Sequence, residues 1–248
     1  RRARWPVQEP APQRRAREPR ARTERIRHVP RGAERVTRTL VGMDDPTAQN
    51  PERSAAPEAH PDLSDLRVAV IGAGNMGGPV ARTMLAAGVR AEHLRIANSS
   101  PDSSRRAAEE LGATAAASPQ EALAEADVVV LGVKPYQILD LAAELQDAIP
   151  AHAVVVSLAA GTTLAQLEAA LPERRAVVRA MPNTPISVGE GAVGLMRGSA
   201  VADAQLELLH ALFAEAGVAV DITEDQVHAF IGAAGSLAVF AFAIIEAM

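Results

Sequence analysis

Gly72-Ala73-Gly74-Asn75-Met76-Gly77 carries the spacing G-x-G-x-x-G that a backbone needs to hold a diphosphate. Gly72 is expected to make a tight turn, Gly74 to remove a side chain that would block a pyrophosphate, and Gly77 to let helix and strand pack closely. The diphosphate then sits at the positive end of the helix. At the end of the following strand, where an NAD site would place Asp or Glu for the ribose 2′-hydroxyl, this chain has Asn98-Ser99-Ser100. A carboxylate repels a 2′-phosphate, whereas hydroxyls and backbone N–H groups opening a helix at Pro101 attract one, so the reading favours NADP over NAD. The alternative is that Ser100 only caps that helix and Asp102 still selects NAD, with Arg105 and Arg106 either aiding an anion or solvated.

Two further strand ends hold chemistry-bearing residues. Lys134 is the only lysine beside 24 arginines, and it stands in Gly132-Val133-Lys134-Pro135 between an apolar strand and a helix-starting proline. It is read as lying beside the nicotinamide ribose or the phosphates, with a snorkelling surface amine as the alternative. Met181-Pro182-Asn183-Thr184-Pro185 brackets an amide and a hydroxyl between prolines, which fixes them at a crevice; orienting a nicotinamide is one use for Asn183. His152, His210 and His228 each stand alone in strand or helix patterns, so no catalytic dyad and no metal site is expected.

The elements that must position these residues alternate. Arg67-Val68-Ala69-Val70-Ile71 reads as a buried parallel strand and Pro79 to Ala87 as a helix. Strands at 94–98, 126–133, 152–159 and 175–181 then alternate with helices at 136–148 and 164–171. Such alternation predicts right-handed crossovers and a Rossmann-type, doubly wound, mostly parallel α/β sheet, with ligands beyond the carboxyl ends of the strands.

Composition sets the outer limits. The 248 residues include no cysteine, which excludes disulfides, thiolate nucleophiles and Fe–S or zinc–cysteine sites. Net charge is −5, but residues 1–66 carry 14 arginines against 10 acids and 9 of the 17 prolines, whereas the remainder is acidic. Residues 1–65 are therefore read as a disordered Arg/Pro-rich extension, with targeting or a binding arm as lesser alternatives. The start at Arg1 suggests a fragment or an over-extended reading frame. Residues 66–223 are read as the NADP-binding domain and 224–248 as the beginning of a helical domain. Phe230 to Ile245 is 16 residues long, short of the ~20 that span a bilayer, and reads as an oligomer-core helix.

Taken together, Val68 to Gly77, Gly132 to Pro135, Ser157-Leu158-Ala159-Ala160-Gly161 and above all Met181 to Pro185 with Val188-Gly189-Glu190-Gly191 resemble the pyrroline-5-carboxylate reductase family. The resemblance covers about residues 66–248 and implies NADPH-dependent reduction of a cyclic imine to L-proline in the cytoplasm, the last step of proline biosynthesis, with NADH a weaker cofactor. It implicates Gly72, Ala73, Gly74, Asn75, Met76, Gly77, Ser99, Ser100, Val133, Lys134, Pro135, Ala159 and Ala160 in cofactor binding, to which the reading of the residues themselves adds Asn98 and Asn183, and it implicates Glu224 in facing the substrate nitrogen. It implies a homodimer or higher homo-oligomer through C-terminal helices, with no nucleic acid or membrane as partner. The chain departs from the family at Gly232-Ala233-Ala234-Gly235-Ser236-Leu237, which lacks the usual proline, and it stops at Met248 within a helix, so the chain alone is expected to bind NADPH without turnover. Two other readings stand beside this one: a β-hydroxyacid or 6-phosphogluconate-type dehydrogenase with Lys134 catalytic, and a non-catalytic NADP-binding module.

Overall fold

Short β-branched runs can bury both faces only inside a sheet covered by helices on each side. A computed structural model, which describes residues 61–248, builds that arrangement. Its strands are β1 (Val68–Ile71), β2 (Leu94–Ala97), β3 (Thr114–Ala115), β4 (Val128–Leu131), β5 (Val154–Ser157), β6 (Val177–Pro182), β7 (Gly191–Arg197) and β8 (Gly217–Asp221). They form one sheet in the order β3-β2-β1-β4-β5-β6-β7-β8. Every pairing is parallel except that of β6 with β7.

The helices are α1 (Gly77–Ala86), α2 (Pro101–Leu111), α3 (Pro119–Leu123), α4 (Ile138–Leu145), α5 (Leu164–Ala169), α6 (Asp203–Leu212), α7 (Val227–Phe230) and α8 (Leu237–Ala247). Val80 and Met84 of α1, Ala108 of α2 and Leu209 and Leu212 of α6 pack on one face of the sheet. Leu123 of α3, Ile138, Leu141 and Leu145 of α4 and Leu167 of α5 pack on the other. Each fully buried side chain of this size contributes ~1.5–3 kcal/mol by leaving water. This is the expected Rossmann-type doubly wound fold. β1 lies between β2 and β4, with Ile71 in register with Ala97 on one side and Leu131 on the other. The direction of winding reverses there, so a crevice opens above the ends of β1 and β4.

The structure differs from the sequence reading at several points. Residues 61–65 belong to the fold and not to the extension, because Leu63 is buried in the core and the Leu66 N–H donates to its carbonyl at 3.1 Å. The rest of the expected disordered segment lies outside the described residues. The strand at 126–133 is shorter, because at Gly132 the chain leaves the ladder to pass the glycine loop. β7 and β8, joined through α6, extend the sheet beyond the last strand read from sequence.

The C-terminal helix is longer than its apolar stretch. It runs over Glu224–Ala247, long and apolar enough by length and composition alone to cross a membrane, while the apolar run within it remains Phe230 to Ile245. Ile231–Ser236 forms a π-helical turn between α7 and α8. Phe240, Phe242, Ile244 and Ile245 of α8 are each at least 60% exposed.

Candidate functional site

The glycine loop is shaped by backbone meeting backbone. Gly72 has φ +95°, a region that disfavours any side chain, and a Cβ there would lie 2.9 Å from the Gly132 carbonyl carbon. A Cβ on Gly77 would run into the Gly72 carbonyl oxygen, and one on Gly132 would meet the same oxygen. The three glycines thus bring the ends of β1 and β4 and the start of α1 into direct contact. Gly74 differs: a Cβ there would meet nothing within 4 Å, because it would project into open space.

Gly74 borders one cavity of about 520 Å³ lined also by Pro79, Arg82 and Glu110, and another of about 570 Å³ at the winding reversal. Gly72, Gly74, Asn75 and Met76 form one wall of the larger cavity, Asn98, Ser99 and Ser103 the second, and Gly132, Val133, Lys134, Pro135 and Gln137 the third. Leu158, Ala160, Met181 and Pro182 close it from β5 and β6. The wall carries no carboxylate and no imidazole; Lys134 is its one ionisable side chain. Its exposed ammonium makes no ion pair among the described residues. α1 opens at Met76 without a side-chain cap, whereas Ser100, Ser118 and Thr163 cap α2, α3 and α5. The Gly78 N–H donates to the Gly74 carbonyl at 2.9 Å and Pro79 has no N–H, so the donors without a partner among the described residues are those of the turn from Gly74 to Gly77; with a wall free of negative charge and a nearby ammonium they suit a polyanion.

Asn98 acts as a brace. Its Oδ1 accepts from the Ala73 N–H at 2.7 Å and its Nδ2 donates to the Ser103 carbonyl at 3.0 Å, so the side chain ties the glycine loop to the first turn of α2. Its own N–H donates to the buried Ser104 hydroxyl at 2.9 Å. Ser99 remains exposed at the rim. Ser100 is taken up by a reciprocal cap with Ser103, each accepting from the other's N–H at 3.2 Å. Asp102 pairs with Arg105 along the exposed face of α2, and neither reaches the cavity wall.

Of the residues singled out in the sequence, Gly72, Gly74, Asn75, Met76, Asn98, Ser99, Val133, Lys134, Pro135 and Ala160 are brought to this wall. Ala73, Gly77, Ser100 and Ala159 are not: they brace, pack or cap behind it. Asn183, expected to orient a nicotinamide, is also absent from the wall. Its Nδ2 donates to the Ala234 carbonyl at 2.7 Å and its Oδ1 accepts from the Ala192 N–H at 2.8 Å, so both ends of the amide are engaged. Glu224 lines a separate cavity of about 410 Å³ with Leu195, Met196 and Thr223. Its Oε1 accepts from the Leu164 N–H at 2.9 Å and pairs with Arg179. Ser103, Gln137, Leu158 and Met181 line the cavity at the winding reversal without having been foreseen. The i, i+3 relation of Ser103 to Ser100 was the available signal for the first of them.

Comparison with known proteins gives these walls a context. Residues 67–161 match the family model described as NADP oxidoreductase coenzyme F420-dependent. The pyrroline-5-carboxylate reductase of Pseudomonas aeruginosa is 36% identical over 187 residues, covering 75% of this chain and 68% of that protein. The structure of a pyrroline-5-carboxylate reductase from Coxiella burnetii superposes with a TM-score of 0.69 at 33% identity, covering 73% of this chain and 68% of the other. The fold is shared with the Plasmodium falciparum pyrroline carboxylate reductase with NADP bound, at a TM-score of 0.67 and 20% identity, over 75% of this chain and 68% of that one. On identity and coverage, the chain belongs to the pyrroline-5-carboxylate reductase family.

Proposed function

We propose that the protein reduces the C=N bond of 1-pyrroline-5-carboxylate to give L-proline, with NADPH as reductant. The observation that carries the cofactor assignment is Gly74: its missing side chain leaves open the space that a diphosphate needs, at the uncapped start of α1. The residues present therefore fit the dinucleotide. Gly74, Asn75 and Met76 would receive the diphosphate, Ser99 the adenosine ribose with its 2′-phosphate, and Lys134 adds positive charge from the opposite wall. When bound, NADPH supplies the hydride that adds to the imine carbon.

The chain's own contribution is to bind, orient and exclude water. Leu158, Met181 and Pro182 give the cavity an apolar side at the ends of β5 and β6, where water would otherwise compete with the reactants. With no carboxylate or imidazole on this wall, a protonated imine is the substrate form the site suits: the nitrogen already carries its proton, and a cationic iminium is electrophilic without further acid. One C=N bond becomes a C–N bond, and the nitrogen keeps that proton.

The same reading makes the protein a homo-oligomer in the cytoplasm. The apolar outer surface of α8 needs covering, and a second copy of the helix covers it most simply; the likeness to the Pseudomonas aeruginosa reductase supports the location. Calorimetric titration with NADPH and NADH, followed by turnover with pyrroline-5-carboxylate and identification of proline, tests the whole proposal. Tighter NADPH binding is expected of this chain, and stoichiometric proline of the intact gene product. Equal affinity for the two cofactors would overturn the cofactor assignment, and NADPH consumption without proline would overturn the substrate.

A further inference from the structure

Arg179 presents an energetic puzzle. It sits in β6, in register with Ser157 and Met196, and is only 5% exposed. Its Nε has no hydrogen-bond partner. A buried guanidinium with an unsatisfied donor is a poor source of stability, since well-packed apolar residues in place of a buried ion pair are often neutral or stabilising. What such a pair supplies is a strict geometric constraint. The constraint acts on Glu224, the first residue of the C-terminal helix, whose Oε1 takes both Arg179 and the Leu164 N–H at the start of α5.

The pattern continues along the strand. Two residues beyond Arg179, Met181 forms part of the cofactor cavity wall. Two residues further, Asn183 clips the Ala234 carbonyl within the π-helical turn. Alternate positions of one chain segment thus hold the helix root, wall the cavity, and hold the same helix again ten residues on, roughly 15 Å along its axis. Between the two clips, the Phe230 ring packs over Gly194 of β7, where an added Cβ would come within 3.2 Å of it.

We infer that Arg179 is a positioning residue for the proposed reaction, acting through Glu224 to set the C-terminal helix against the cofactor cavity. This rests on the functional reading above, because the helix matters to catalysis only if the substrate is held between it and the cavity. Both bonds to Glu224 fall on Oε1, and Oε2 has no partner among the described residues. Arg179 therefore fixes the direction of the one carboxylate oxygen that remains free to accept.

The test uses Arg179→Met, Arg179→Lys, Glu224→Gln and the Arg179→Met/Glu224→Gln double variant. Three quantities are measured on each: NADPH affinity, kcat/KM for pyrroline-5-carboxylate, and hydrogen exchange of the segments around Leu164 and 223–230. Arg179→Met is expected to leave NADPH affinity within about 2-fold, to lower kcat/KM on the order of 100-fold as misplaced groups do, and to speed exchange in both segments. Arg179→Lys should recover part of each loss. The double variant should be no worse than the worse single one, because both substitutions break one link. Unchanged exchange in Arg179→Met, additive losses, or parallel losses of NADPH affinity and turnover would overturn the inference. Should Arg179→Met fail to fold, the exchange pattern of Glu224→Gln decides it. Turnover is read on the intact gene product carrying each substitution; if its parent form shows none, the functional reading fails, while exchange still reports whether Arg179 holds the helix root.

Discussion

The glycine loop and the root of the C-terminal helix solve the same problem, holding a helix start against a strand end, by opposite means. At the loop, Gly72, Gly77 and Gly132 let backbone touch backbone, with no side chain between β1, β4 and α1. At the helix root, Arg179 and Asn183 reach from the β6 segment to partners 45 and 51 residues away. Backbone contact is rigid but tolerates no substitution. Side-chain clips tolerate change gradually, and each can be released by itself.

This contrast orders the expected effects. Gly77→Ala should be the most severe, because its Cβ cannot avoid the Gly72 carbonyl oxygen. We expect a loss of ~3 kcal/mol or more, seen in thermal denaturation as a fall of ~6–12 °C. Gly74→Val should separate folding from binding. Its side chain enters open space, so the melting temperature should stay within ~2 °C while NADPH affinity drops ~100-fold or more, about 2.7 kcal/mol. Retained affinity would show that the loop is only a turn. Ser99→Glu, at the exposed rim, should narrow the preference for NADPH over NADH by ~10-fold through repulsion of the 2′-phosphate, read by paired titrations.

On the other side of the comparison, Asn183→Ala should cost ~1–2 kcal/mol by unpairing the Ala234 carbonyl and the Ala192 N–H. Exchange should quicken in 231–236, with NADPH affinity unchanged. A large loss of NADPH affinity would return Asn183 to the cofactor site. The smallest effect is expected for Asp102→Asn, whose surface pair with Arg105 is worth less than ~1 kcal/mol. The ratio of NADPH to NADH affinity should not move in the same titrations; a shift toward NADPH would make Asp102 the selector after all.

How much was legible in the sequence follows the same division. The glycine spacing can be read because each glycine's reason is local: a turn, an open space, a close helix. Ser100 could be read as a cap, because its partner Ser103 lies one turn away. The partner of Asn183 was not legible, because its amide donates to a helix carbonyl 51 residues later, where the helix widens into a π turn that no apolar period announces. The Arg179–Glu224 pair was missed in the same way: an arginine inside an apolar strand has no local partner to reveal it. β7 escaped because Gly191 and Gly194 interrupt its apolar pattern, although each is there to admit a neighbour. At Gly194 the neighbours are Ile222 and Phe230, and at Gly191 they are the Ile186 backbone and the Asn183 amide. The two glycines of Gly189-Glu190-Gly191 have their own reasons: Gly189 has φ +74°, and a Cβ on Gly191 would strike the Ile186 backbone.

Lys134 turns the molecule into its own reporter. It is the sole lysine of the chain, exposed at the mouth of the cavity, so an amine-directed reagent has one side-chain target and the terminal amine. A fluorophore or crosslinker attached there needs no engineered residue to mark the cavity. Protection of that one amine by a candidate ligand then gives a binding isotherm by mass spectrometry alone, whether or not the ligand absorbs light or undergoes reaction.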